Sequence, residues 1–263
     1  MWFDAGVNLT NKRLLKDLDG VMLRAQQAEV RKQLIISTSI DEAEQAIKLC
    51  QQFPEQLVMT VGIHPHDAGE APADYKQKLK ELAQHPGVVA IGECGLDFNR
   101  NYSPRPEQEA VFVAQIELAN ELNLPLYLHE RDAIDRQIEL LNQYCADNTL
   151  CLTHCFTGGA DELKRYAERG HWFGITGWLC DDRRNQELVA ALPNLPLDRL
   201  VLETDAPFLL PRGIKPRPKM NEPALLPVIG ETLAKHLQIS TQKLAELTYA
   251  NTERFFGPGE QSD

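Results

Sequence analysis

The sequence of 263 residues lacks the features that mark several protein classes. Its six cysteines form no Cys-x-x-Cys pair, which argues against a disulfide framework or a zinc knuckle. No window of about 18 residues is continuously apolar, and the first residues show neither the basic start nor the apolar core of a signal peptide. We therefore expect a soluble, cytoplasmic protein with reduced thiols.

Positive charge is also scarce, with 27 Lys and Arg against 38 Asp and Glu and a net charge of −11. A protein that binds duplex nucleic acid by neutralising many phosphates is thus disfavoured. Nucleic acid stays open as a substrate, because a metal ion in a cleft supplies positive charge locally.

The chain does contain enough apolar residues for a core, at 43% of the total, and no linker or low-complexity tract divides it. Short apolar runs alternate with longer amphipathic stretches, a pattern that predicts an α/β fold with eight buried parallel strands closed into a (β/α)8 TIM-like barrel. We predict one domain over residues 1–256 and a short tail over residues 257–263. The predicted strands are Trp2–Val7, Leu34–Ser37, Leu57–Ile63, Val88–Ile91, Leu124–Leu128, Leu150–Thr153, Trp172–Ile175 and Leu200–Leu202.

Helix signals fall between these runs. Ser39 and Glu42 form a capping box that predicts a helix through Gln52. Apolar residues at three- and four-residue spacing predict further helices over Pro106–Leu122 and Ala133–Tyr144, and two more within Pro223–Phe255.

Polar residues recur where the apolar runs end. In a parallel barrel the carboxyl ends of the strands meet at one rim, so these residues are expected to gather there. Imidazoles and carboxylates together suit a divalent metal, and a metal that keeps a water favours hydrolysis near neutral pH. The residues are Asp4 and Asn8, His64, Glu93, His129, His154, Glu203 and Asp205.

Four segments resemble the signatures of TatD-type metal-dependent deoxyribonucleases: Val61–His66, Ala90–Asp97, Leu152–Gly158 and Glu203–Pro207. The resemblance runs from Phe3 to Phe256. It implies a barrel of the metal-dependent hydrolase type and a 3′-to-5′ exonuclease that hydrolyses phosphodiester bonds of single-stranded DNA and RNA, with a role in DNA repair.

The same resemblance implies roles for individual residues. Glu93, His129 and His154 match metal ligands. Asp205 matches a ligand that also accepts the proton of the attacking water, and Glu203 matches a residue that supports the ligands.

The first strand departs from the family pattern. Most relatives carry Asp-x-His-x-His there, whereas this chain has Gly6 and Asn8 in place of the two histidines. We therefore expect one firmly bound divalent ion, magnesium foremost with manganese or zinc open, and a weaker second site. Asp4 and Asn8 are expected to reach that second ion through water.

The segment His64-Pro65-His66 is leaving its strand, because Pro65 cannot continue the strand hydrogen bonds. We predict that His64 contacts a metal-bound water or the scissile phosphate, and that His66 anchors the loop. Cys94 and Cys155 adjoin predicted ligands, so strand alternation should turn their side chains away to pack as small apolar groups.

Basic and aromatic residues near the same rim are candidates for substrate contacts. Arg131 is predicted to bind a phosphate, with an ion pair to Asp132 or Asp135 as the alternative. The segment Pro211–Lys219 holds four basic residues and no acid, and Arg212 is its candidate for the nucleic acid.

Bases of a single strand stack on aromatic rings. The candidates that follow predicted strands are Phe98, Tyr102, Phe156 and Trp178, of which we favour Phe98 and Trp178. Packing at the rim is the alternative for each ring.

Two other functions stay open. One is hydrolysis of a small phosphoester, lactone or amide on the same barrel, and the other is a non-catalytic adaptor with a vestigial metal site. For the nuclease we expect single-stranded DNA or RNA as substrate, no membrane, no obligate protein partner and a monomer.

Overall fold

The structure is a computed structural model that describes residues 1–257. Most of the predicted tail, residues 258–263, lies outside the described residues. The chain divides into two compact units. The terminal unit comprises Met1–Leu34 and the chain from Cys155 onward, and the central unit comprises Ile35–His154. The prediction of a single domain stays a prediction.

Eight strands form one sheet in which neighbouring strands follow chain order. The pairings β3–β4, β4–β5, β5–β6 and β7–β8 are parallel, and helices separate the successive strands. This order confirms the (β/α)8 fold class. The strands are β1 (Trp2–Val7), β2 (Val30–Ile35), β3 (Leu57–Val61), β4 (Val88–Asp97), β5 (Leu126–Arg131), β6 (Cys151–Thr153), β7 (Trp172–Ile175) and β8 (Leu200–Leu202).

The predicted helices are confirmed, with ends within three residues of those expected. Ser39 caps its helix by accepting a hydrogen bond from the backbone N–H of Glu42 at 3.3 Å. Among residues 1–257, no helix is long and apolar enough to span a membrane. The helices are α1 (Lys12–Leu15), α2 (Leu18–Gln27), α3 (Ile40–Gln52), α4 (Tyr75–Leu82), α5 (Arg105–Leu122), α6 (Ile134–Tyr144), α7 (Ala160–Glu168), α8 (Gln186–Ala191), α9 (Leu226–Leu237) and α10 (Thr241–Phe256).

Strand β2 begins four residues earlier than predicted and ends two residues earlier. Its first half is polar, which concealed it from a search for apolar runs. In the terminal unit Lys32 of this half faces α10 and pairs with Glu253 at 2.8 Å. The polar side chains therefore belong to a strand whose outer face meets a helix.

Strand β4 extends six residues beyond the predicted end and includes both Glu93 and Asp97. Glycines interrupt the apolar run, so the prediction stopped too early. At Gly95, which has φ of +139°, a Cβ atom would lie 2.0 Å from the backbone oxygen of His129 in β5. Glycine is therefore required for the close approach of β4 and β5, the two strands that carry Glu93 and His129.

In the terminal unit His171 precedes β7 and is buried at 1% exposure. Its ring stacks on Tyr166 at a centroid distance of 4.8 Å. Burial lowers the pKa of His171 to about 3, and the nearby cations Arg169 and Arg199 lower it further. The folded protein therefore holds this imidazole neutral.

We predict that His171 makes the stability of the metal-free protein fall in mild acid. Between its pKa when folded and the ordinary value near 6.5, the unfolded chain binds the proton and the folded chain does not. The free energy of unfolding should then decrease by about 2 kcal/mol from pH 6.5 to pH 5 on account of this group.

The check is urea unfolding across this pH range in chelator. H171F should flatten the dependence relative to wild type, while H236F, at an exposed histidine of α9, should leave it unchanged. Equal slopes for wild type and H171F would contradict the prediction.

Candidate metal centre

In the central unit, three imidazoles converge on one carboxylate oxygen, Oε1 of Glu93. Nδ1 of His129 lies 2.9 Å from it, Nε2 of His64 lies at 3.4 Å and Nε2 of His154 lies at 3.8 Å. Glu93 is 6% exposed. The structure thus brings together three of the four predicted metal ligands, and His64 with them.

His66 and Asp97 also belong to this cluster, and the sequence analysis missed both as site residues. Nε2 of His66 lies 2.6 Å from Oδ2 of Asp97, and the ring of His66 is 4.2 Å from that of His64. His66 does anchor its loop, since its carbonyl accepts a hydrogen bond from Ser103. Its prediction as a loop anchor alone was therefore incomplete.

Asp97 is held rigidly at the end of β4. Its Oδ1 accepts hydrogen bonds from the backbone N–H groups of Asn99 and Arg100 at 3.1 and 2.8 Å. Its Oδ2 is left facing His66 and His129. Burial alone would raise the pKa of Asp97, but His129, the backbone N–H of Arg100 and His66 hold it well below its usual range.

The cluster suits a divalent cation on the chemistry of its donors. Single ring nitrogens of His64, His66 and His129 all lie within 4.8 Å of one another, close enough to share one ion. Nε2 of His129 is buried without a hydrogen-bond partner among the described residues, and the nearest carboxylate oxygen, of Asp97, is 3.6 Å away. Once the ring has lost its proton, a buried nitrogen in this position can bind a metal ion.

The protonation states follow from burial and neighbouring charge. Burial lowers the pKa of His64 to about 4, so its ring is neutral at pH 7. Burial acts in the same direction on His129, but Asp97 and Glu93 outweigh it and raise the pKa to about 9. For Glu93 burial is likewise outweighed, because His64, His154 and His129 hold the pKa well below normal.

Tyr127 of β5 fixes the orientation of His154. Its phenol oxygen lies 2.7 Å from Nδ1 of His154, and Tyr127 itself is fully buried. This contact leaves Nε2 of His154 directed at Glu93. Sequence reasoning placed Tyr127 within an apolar run and gave no signal for its hydroxyl group.

In the terminal unit, the predicted residue Asp205 follows β8 with φ of +52°. Its backbone N–H donates to the carbonyl of Gly6 at 2.8 Å, and its Oδ1 accepts a hydrogen bond from the amide of Asn8 at 2.8 Å. Asn8, which replaces a family histidine, thus orients Asp205.

Glu203, which follows β8, and Asp4, which lies within β1, are buried carboxylates of the terminal unit. Oε2 of Glu203 accepts a hydrogen bond from the backbone N–H of Cys155 at 3.0 Å. The two oxygens of Asp4 accept from the backbone and hydroxyl of Thr204 at 2.8 and 2.5 Å. Burial raises the pKa of Asp4 to about 8. Asp4 therefore braces Thr204, and its water-mediated contact with a second ion stays a prediction.

The two favoured aromatic residues each carry an arginine on one face. In the central unit the guanidinium of Arg105 lies 4.3 Å from the ring centre of half-buried Phe98. In the terminal unit Arg184 lies 3.8 Å from that of Trp178. Stacking of a base on either ring stays a prediction.

The remaining aromatic candidates differ in exposure. Phe156 is 4% exposed and packs edge-on against Phe173, which favours the packing alternative for this ring. Tyr102 is 67% exposed and lies 4.7 Å from the ring of His66. Phe208, which sequence reasoning missed, is 49% exposed and lies three residues after Asp205.

The predicted basic contacts and the two cysteines lie in different surroundings. Arg131 ends β5 and is in register with Asp97 of β4. Arg212 is exposed, with Nε 3.8 Å from Asp181. Cys94 is fully buried, as predicted. Cys155 is half-buried with its sulfur 3.3 Å from the hydroxyl of Thr176, so its prediction as an apolar packing residue is wrong.

We predict that the Tyr127 hydroxyl tunes metal affinity through His154. Removing the partner of a metal-binding imidazole usually costs 10–100-fold in affinity, because the ring loses its fixed orientation. Calorimetric titration of the metal-free protein with Mn²⁺ should show a loss of about tenfold or more for Y127F. Y166F, at a buried tyrosine of the terminal unit, is the control and should bind as wild type does. Unchanged affinity in Y127F would contradict the assignment.

Known proteins are similar in sequence to nearly the whole chain. The family model described as TatD related DNase matches residues 3–257. The chain is 46% identical over 257 residues to a protein of Escherichia fergusonii named 3′-5′ ssDNA/RNA exonuclease TatD, covering 97% of this chain and 98% of the relative. The protein of that name in Salmonella typhimurium is 44% identical over 256 residues, covering 97% of this chain and 98% of the relative.

Solved structures show the same fold. A TatD family hydrolase of Entamoeba histolytica superposes with a TM-score of 0.89 at 23% identity, and a TatD homologue of Escherichia coli K12 with 0.88 at 24%, each covering 98% of both chains. The family match over nearly the whole chain and the identity to these relatives agree, and this protein belongs to the TatD-related deoxyribonuclease family.

Proposed function

We propose that this protein is a metal-dependent 3′-to-5′ exonuclease that hydrolyses phosphodiester bonds of single-stranded DNA and RNA. The convergence of three imidazoles on the buried carboxylate of Glu93 is the observation that carries the proposal. The relatives named as exonucleases of this specificity support the substrate class. The cytoplasmic location, the monomeric state and a role in DNA repair remain predictions.

In this proposal Glu93, His129 and His154 of the central unit hold a divalent ion, and the family match proposes Asp205 of the terminal unit as a metal ligand. We propose magnesium, with manganese and zinc as the alternatives that imidazole ligands favour. When bound, the ion lowers the pKa of a water molecule and offsets negative charge on the phosphate. One ion is proposed to bind firmly and a second more weakly.

Asp205 is the proposed acceptor for the proton of the attacking water. The amide of Asn8 donates to one of its oxygens, which fixes the orientation of the carboxylate for this role. Glu203 supports this end of the sheet by accepting from the backbone of Cys155.

His64 is proposed to donate a hydrogen bond to the scissile phosphate. Its Nδ1 accepts from the backbone N–H of His66 at 3.1 Å, so the neutral ring carries its proton on Nε2. Burial keeps the pKa of this ring at about 4, and the donor is therefore present at neutral pH. Arg131, Arg212, Phe98 and Trp178 are the proposed contacts for phosphates and bases.

We predict that E93Q and D205N each lower exonuclease turnover by about a thousandfold or more, since each removes a charge on which the chemistry depends. The measurement is release of nucleotides from 5′-labelled single strands in Mg²⁺, Mn²⁺ or Zn²⁺, with chelator as the blank. D147N, at an exposed aspartate, should retain full activity.

The pattern of products tests the other elements of the proposal. Digestion from the 3′ end leaves a descending ladder of 5′-labelled fragments, and a blocked 3′ end should stop it. Full turnover by a folded D205N protein would exclude the proposed proton acceptor. Hydrolysis of generic esters or amides without any attack on oligonucleotides would exclude the nuclease.

A further inference from the structure

Three arginines of the terminal unit surround one buried carboxylate, that of Asp181. Arg183 forms two hydrogen bonds to it, from Nε to Oδ1 at 2.8 Å and from Nη2 to Oδ2 at 2.7 Å. Nε of Arg184 lies 3.1 Å from Oδ2, and Nε of Arg212 lies 3.8 Å from Oδ1. We call these four residues the Asp181 cluster.

The charges of the Asp181 cluster do not balance. Within residues 1–257, Asp181 is the only carboxylate within 4.0 Å of any of its three guanidinium groups. The side chain of Asp181 is 5% exposed, whereas those of Arg183, Arg184 and Arg212 are 65%, 44% and 38% exposed. The carboxylate is thus covered while the three guanidinium groups face solvent, and the exposed neighbour Asp182, whose charge acts on Arg183, leaves a net charge of +1 for the three arginines and two aspartates.

The backbone that carries the cluster is well fixed. The N–H of Asp181 donates to the carbonyl of Trp178, and the N–H of Arg184 donates to the carbonyl of Asp181, both at 3.1 Å. The side chain of Asn185 donates to the carbonyl of Leu179 at 2.6 Å. Because both backbone and carboxylate are held, the guanidinium groups are oriented before any ligand arrives.

The Asp181 cluster lies after the same pair of strands as two predicted site residues of the terminal unit. Arg183 and Arg184 follow β7 and Arg212 follows β8, and these strands are parallel neighbours. Glu203 and Asp205 follow β8 at the same end.

Positive charge continues along the chain beyond Arg212. The exposed basic residues there are Lys215, Arg217 and Lys219.

The guanidinium group of Arg184 also lies over the ring of Trp178, 3.8 Å from the ring centre. The indole N–H group is not needed for this contact, because the π-face attracts the cation. In a single strand, bases and phosphates alternate. An aromatic ring can stack on a base, and a neighbouring guanidinium group can bind the adjacent phosphate.

We propose that the Asp181 cluster binds the phosphodiester backbone of the single-stranded substrate, with Arg183, Arg184 and Arg212 as phosphate contacts and Asp181 as their positioning residue. The identity of the strand as substrate rests on the proposed exonuclease function. The N–H groups that do not bond Asp181 can donate to phosphate oxygens, and the ring of Trp178 beside Arg184 adds stacking that a base can use and an acidic peptide of glutamates cannot. We therefore expect a nucleic acid strand to bind more tightly than an acidic peptide.

The test is binding of a 5′-fluorescein-labelled oligothymidylate to the full chain in chelator, by fluorescence anisotropy over a range of salt concentrations. R183Q/R212Q should weaken binding by roughly tenfold and lower the slope of log affinity against log salt by about 1.4, because each lost phosphate contact accounts for about 0.7. K243Q, at an exposed lysine of α10, is the matched control and should shift affinity less than about twofold.

D181N separates positioning from charge. The substitution adds a net positive charge, which by itself would strengthen binding to a polyanion, whereas loss of the anchor should weaken binding by about threefold. Circular dichroism and thermal unfolding verify that each variant is folded. Binding and salt slope of folded R183Q/R212Q equal to wild type would overturn the proposal, as would tighter binding by D181N. Competition by polyglutamate equal to that by unlabelled oligothymidylate would also overturn it.

Hydrolysis of a small aryl phosphodiester keeps this test distinct from that of the proposed function. Its cleavage by the wild type with Mn²⁺ present reports the metal-dependent chemistry separately from the binding of a strand, and K243Q should cleave it at the wild-type rate. A wild type that binds the strand through the cluster but cleaves neither substrate would refute the exonuclease and leave the cluster assignment intact.

Discussion

A buried carboxylate among imidazoles is the constraint on which the candidate site depends. Taking an ionised carboxylate out of water costs several kcal/mol unless positive charge or hydrogen bonds offset the loss. At Glu93 the offset comes from His64, His129 and His154, whose nitrogens all face the same oxygen. A divalent cation bound among these groups would offset the charge of the carboxylate and use the imidazole nitrogens as ligands.

The backbone meets the constraint by bringing two strands unusually close. Glu93 and Asp97 lie on β4, and His129 lies on β5 beside them. The absence of a side chain at Gly95 lets the carbonyl of His129 approach, and the phenol of Tyr127 on β5 sets the ring of His154. Packing and chemistry therefore share the same few residues, which leaves little freedom to substitute any of them.

Much of this arrangement is predictable from the sequence because the polar residues of the rim follow strand ends. Strands β1, β7 and β8 were predicted with their observed bounds, and Glu93, His129 and His154 were predicted as neighbours. Strand β4 was too short in prediction because glycines look like a strand end when only apolar runs are counted. Asp97 was lost with the missing half of that strand.

Other parts of the site depend on contacts that a linear pattern does not show. The hydroxyl of Tyr127 lies in an apolar run, and only its distance from His154 reveals its role. Phe156 and Phe208 are both aromatic residues after strands, yet one is in the core and the other exposed. The residues that pack around each ring determine whether it is buried or exposed. Likewise, the arginines around Asp181 come from two separate segments.

The replacement of a first-strand histidine by Asn8 has a consequence for how the site responds to its surroundings. An imidazole beside Asp205 would gain or lose a proton near neutrality and so alter the field felt by that carboxylate. A carboxamide has no such transition, and the hydrogen bond that it donates to Asp205 keeps the same polarity in acid and in base. In this chain the carboxylate of Asp205 therefore has one titrating neighbour fewer.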